Sequence, residues 1–67
     1  MSPDKMVHMA NQIAAFFKTQ PGTDAVDRVA AHLRDFWEPR MRDQLKRYVA
    51  EGGAGLDALV VGAAHRI

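Results

Sequence analysis

His8, His32 and His65, the single serine Ser2, the run Gly52-Gly53-Ala54-Gly55 and a concentration of arginines are the residues of this 67-residue chain whose types could do chemistry. Metal binding would need ligands gathered on one turn or loop, such as two histidines three or four residues apart. The three histidines fall one to each of three predicted helices, so no metal is expected. Asp4 and His8 are four apart and could meet on a helix face, where a surface salt contact is the ordinary outcome. There is no cysteine, which removes the thiolate nucleophile, the disulfide, and zinc or iron–sulfur clusters held by this chain's sulfur. Ser2 stands where a helix cap is needed, and the glycine run follows a helix instead of a strand, the wrong context for a phosphate cradle. The residues give no catalytic constellation, and the chain is not expected to be an enzyme or to hold a cofactor.

Arg34, Arg40, Arg42, Lys46 and Arg47 form the one basic concentration. Two helices joined by a tight turn could suggest a DNA-reading pair, but Asp35, Glu38 and Asp43 interrupt the patch. Nine Lys or Arg against eight Asp or Glu leave a net charge of only +1, which argues against a general attraction to nucleic acid or anionic membrane. The same residues also read as a solvated helix face, or as an arginine-rich protein interface. The longest apolar run, Ala58 to Ala64, is far short of the roughly 18 residues of a membrane span. The amino terminus lacks the apolar core of a secretory signal, so a cytoplasmic location is expected.

The elements that would position these residues are helical. Ser2-Pro3-Asp4 supplies a capping hydroxyl, a proline for the first helical position and an acid at the positive helix end. Met6, Met9, Ala10, Ile13, Phe16 and Phe17 then recur at three- and four-residue steps, and Val7 and Ala14 widen the stripe enough to touch two neighbours. Gln20-Pro21-Gly22 closes this helix. Thr23 or Asp24 should cap a second, with Val26, Val29, Ala30, Leu33, Phe36 and Trp37 inward and the pairs Asp24–Arg28 and Arg34–Glu38 on its outer face. Pro39 ends it, pushing Glu38 out of the α region, and opens a third helix carrying Met41, Leu45, Tyr48 and Val49 inward. Arginines at the start of that helix oppose its dipole and suggest another use for Arg40 and Arg42. Glycines 52, 53 and 55 stop the third helix, and Asp57 can cap a short fourth one, in which Gly62 is a weak point. The fold class is therefore all-α: one domain over residues 1–67, a small bundle of three amphipathic helices plus a short C-terminal one, at about 3–19, 24–37, 39–50 and 58–66.

A chain of this size buries only roughly 60% of its unfolded surface, and its aromatic and methionine stripes exceed what so small an interior can hide. Some must stay exposed, and an exposed apolar patch marks an interaction surface and favours some self-association. The turn between the second and third helices is the expected place, because Arg and Trp are enriched where partners meet. Arg34, Phe36, Trp37, Pro39, Arg40, Met41 and Arg42 are the candidate partner-binding residues, with Trp37 shared between core and partner.

Three segments carry a resemblance: the run Asp4 to Phe17, the stretch onward through Leu45, and Gly52 to Val60. The most specific parts are Met-Ala-Asn-Gln-Ile-Ala-x-Phe-Phe at residues 9–17 and Phe-Trp-x-Pro-Arg-Met at 36–41. Together they resemble the delta subunit of the NAD-dependent, molybdenum- or tungsten-containing formate dehydrogenases, up to about Val61. The resemblance implies a non-catalytic accessory subunit of a complex that oxidises formate and passes electrons to NAD. It further implies contact with the catalytic (alpha) subunit and a part in assembly, cofactor insertion or stability. The pterin-bound molybdenum or tungsten, iron–sulfur clusters and flavin (FMN) would lie in other subunits, with none in this chain. A free-standing regulator or chaperone-like factor acting transiently on the enzyme is the alternative, and a small nucleic-acid module the second alternative.

Overall fold

A computed structural model describes residues 1–67. Four helices follow in order, α1 (Pro3–Lys18), α2 (Ala25–Phe36), α3 (Pro39–Ala50) and α4 (Ala58–Ala64), with no strand. The start of α1, both ends of α3 and the start of α4 fall where the sequence places them, and the other ends differ by one or two residues. Ser2 Oγ accepts from the Lys5 amide at 3.3 Å and Pro3 holds the first turn of α1. At the other end the Thr19 hydroxyl donates to the Phe16 carbonyl at 2.6 Å, which closes the helix one residue early. Asp24 sits at the α2 N-cap, but its carboxylate makes no cap bond and pairs with Arg28 at 3.1 Å instead.

The turn from α2 to α3 is made by Trp37 and Glu38, both in extended backbone (φ −91°, ψ 137° and φ −63°, ψ 152°), a conformation that Pro39 imposes on Glu38. The end of α3 is closed by two reversed amide bonds, Gly52 N to the Val49 carbonyl and Gly53 N to the Tyr48 carbonyl, each 3.0 Å. That is the Schellman pattern with Gly52 as its positive-φ residue (φ +121°), and Gly53 follows at φ +62°, so both positions favour glycine. Asp57 then caps α4, its Oδ1 accepting from the Leu59 amide at 2.9 Å.

The short α4, the weakest helix on sequence grounds, is central to the packing. It lies chiefly on α2 and also touches α3 and α1. Val60, Ala63 and Ala64 are buried together with Met6, Ala10, Ala14, Val29, Ala30, Leu33, Trp37 and Leu45. Five of these eleven are alanines, so the helices pack backbone to backbone with little side-chain bulk between them. Gly62 belongs to the same design: a Cβ there would stand 3.3 Å from a Val26 methyl, so the glycine that weakens α4 by about 1 kcal/mol lets α2 approach it. Every buried side-chain polar atom has a partner. The radius of gyration, 10.8 Å, equals the roughly 11 Å expected of a compact chain this long, so apolar residues left outside are not the result of loose folding.

Candidate functional site

The two flanks of α1 are used differently. On one, Asn11 reaches across to the glycine loop, its Nδ2 donating to the Gly55 carbonyl at 2.9 Å and its Oδ1 accepting from the Asp57 amide at 2.8 Å. Lys18, seven residues on and therefore on the same side, pairs with the Asp57 carboxylate. The Lys18 ammonium, with the Leu59 amide helping and desolvation opposing, holds the Asp57 carboxyl below its usual range. The Tyr48 hydroxyl donates to the Ala54 carbonyl at 2.6 Å and completes the closure of the loop.

The other flank is open. α1 presents Met9, Gln12, Ile13, Phe16 and Phe17, and the end of α2 with the following turn presents His32, Phe36 and Trp37, leaving between them a groove of about 530 Å³. Met9, Ile13 and Phe16 follow one another at steps of four and three, and His32 and Phe36 are four apart, so each helix contributes one row. Four rings run from one row to the other. Phe16 meets Phe17 edge-on at 5.2 Å between centroids, Phe17 meets His32 edge-on at 6.0 Å, and His32 lies tilted over Phe36 at 4.7 Å. Phe36 is 74% exposed and Phe16 59%, which makes them the large apolar side chains most open to water, ahead of the terminal Met1.

Within the group read from the sequence, the structure divides the residues. Trp37 is 7% exposed: it belongs to the core and shows the groove only an edge. Phe36, expected inward with the rest of the α2 stripe, points out. Arg42 donates to the Arg34 carbonyl at 3.2 Å, one of the carbonyls that α2 leaves without an amide partner when it ends at Pro39. Arg34 in turn donates to the Arg66 carbonyl beyond α4 at 3.0 Å, in place of the Glu38 pairing expected from spacing. The Arg42 bond gives one of the two cations at the start of α3 a use, since it caps the neighbouring end of α2, whereas Arg40 makes no hydrogen bond or ion pair within the chain. Pro39 and Arg40 are exposed on the first turn of α3, and Met41 is half-buried against the core.

The residues absent from the sequence reading of the site are Met9, Gln12, Ile13, Phe16, Phe17 and His32. A signal for them exists in the width of the α1 stripe: the positions Met6, Met9, Ala10, Ile13, Ala14, Phe16 and Phe17 span more of the helix than one core can cover. No three His, Asp or Glu side chains are gathered in a way that could hold a metal, and Asp4 and His8 form no ion pair; the ion pairs present are Lys18–Asp57, Arg28–Asp24 and Arg66–Asp27. No helix is long and apolar enough to cross a membrane. What this arrangement can do is hold a partner by apolar contact.

Residues 5–64 match the family described as the NADH-dependent formate dehydrogenase delta subunit, FdsD. The match passes through the end of α4, a few residues beyond Val61, where the resemblance read from the sequence ends. No curated protein matches the chain.

Proposed function

The chain belongs to the NADH-dependent formate dehydrogenase delta subunit family, and from that premise we propose that it is a non-catalytic subunit that docks on the metal-bearing catalytic (alpha) subunit through the α1/α2 groove. The observation that carries the reading is the outward ring of Phe36, next to a buried Trp37, in a chain whose packing is otherwise close. Burying apolar surface gives roughly 25 cal/mol per Å², so two phenylalanines left in water are a standing source of binding energy. Pro39, Arg40 and Met41 lie immediately beyond the groove in sequence and would form the rim of the contact. The pterin-bound metal, iron–sulfur clusters and flavin of such a complex would be carried by other subunits, and the task of this one would be support of assembly, cofactor insertion or stability.

The test is to purify the complex with this chain tagged and carrying Phe16→Ala and Phe36→Ala together. The expected result is loss of co-elution in gel filtration, with the helical circular dichroism of the free variant unchanged. Co-elution equal to that of the unmodified chain would overturn the docking site. A subunit present in equal amount to the others would also separate this reading from a factor that visits the enzyme only transiently.

A further inference from the structure

Resting on that docking proposal, we infer that the occupant of the groove is one amphipathic helix of the metal-bearing subunit, set in place by three bulky apolar residues and carrying a lysine or arginine beside them. Spacing along α1 favours a helix. Met9, Ile13 and Phe16 run about 10 Å along α1, two helical turns at 1.5 Å per residue. A helix laid along that row matches it with residues at i, i+3 or i+4, and i+7, the usual form of helix-in-groove recognition.

Area and shape disfavour a second copy of this chain. A stable symmetric pair needs about 800 Å² from each partner, near a fifth of the 4275 Å² that this chain exposes. At 150–250 Å² for a whole aromatic side chain, the exposed fractions of Phe16 and Phe36 amount to roughly 200–330 Å². Two concave grooves facing each other would also leave their middles unfilled, whereas a convex helix fills one. Charge favours a basic partner. Asp35 is exposed, takes part in none of the three ion pairs, and lies beside Phe36 and three residues from His32, on the outer side of the α2 row. A carboxylate there favours a cation on the incoming helix.

The experiment places a photo-crosslinking p-benzoylphenylalanine at position 36 of the tagged chain, with a second variant carrying it at position 16, and isolates the whole complex from cells. The expected product is a crosslink from both positions to one peptide of the metal-bearing subunit, with apolar residues at the stated spacing and a basic residue among them; Asp35→Lys should lower the yield at least threefold. A crosslink to a segment of that subunit without this pattern, or to another copy of this chain, would overturn the inference while leaving docking intact. Absence of any crosslink from a co-purifying subunit would overturn the groove as the contact. Only failure of the unmodified chain to co-purify would end the docking proposal itself.

Discussion

The two flanks of α1 teach different lessons about the same helix. The flank bearing Asn11 and Lys18 is finished: its polar groups reach the loop before α4 and leave nothing over. The flank bearing Met9, Ile13 and Phe16 is unfinished, with apolar side chains facing a groove that no part of this chain fills. The first flank accounts for how 67 residues hold together without a disulfide or a large interior. The second is what the docking proposal rests on, because contiguous exposed apolar surface marks an interaction site.

The adjacent pair Trp37 and Phe36 gives the sharpest contrast between closed and open surface. Trp37→Ala should cost about 3–5 kcal/mol, enough to remove most of the stability of so small a domain, and should appear as loss of cooperative melting by circular dichroism. A variant that still melts cooperatively within a few degrees of the parent would move Trp37 to the open side. Asn11→Ala deletes both bonds to the glycine loop and strands a part-buried amide, for an expected loss of about 1–3 kcal/mol in urea unfolding. No loss would mean that the finished flank is finished by something else. Gly53→Ala puts a Cβ on backbone at φ +62° and should cost about 1–2 kcal/mol, with amide exchange quickening first at residues 52–57.

Smaller effects follow. The Asp57 carboxyl is held below its ordinary value of 3.8, so its ionised form is favoured by folding. Its contribution is present in full above that value and is lost as pH falls through the lower folded value. Asp57→Asn should therefore flatten the decline of stability below about pH 4 relative to the unmodified chain, as read from melting temperatures across an acid series. Phe36→Ala should change stability least of all, within about 0.5 kcal/mol, since the ring is mostly in water already. A loss above 2 kcal/mol would show that the open flank is part of the fold.

Much of this is legible in the sequence alone. The caps at Ser2 and Asp57, the break at Pro39 and the glycine stop after α3 are local chemistry, decided within four or five residues, and the structure places each where the spacing predicts. What local spacing does not contain is which part of a wide apolar stripe faces a neighbour. Phe36 continues the α2 period that holds Val29 and Leu33 in the core, yet it lies outside, because the chain turns at the next residue and α1 has already ended its seam with Ala10 and Ala14. Gly62 reads as a defect until the approach of Val26 supplies its reason. Arg34 and Arg42 read as surface charge for a partner, and it takes the tertiary arrangement to show which helix ends they reach.

Oxidative footprinting of the open flank is the most direct test of the central claim. Hydroxyl-radical modification of Met9, Phe16 and Phe36 would be measured by mass spectrometry in the isolated chain and in the intact formate dehydrogenase complex. Docking through the groove predicts strong modification of all three in the isolated chain and at least a fivefold fall in the complex, with exposed His65 unchanged. Equal modification of Phe16 and Phe36 in both states would contradict it.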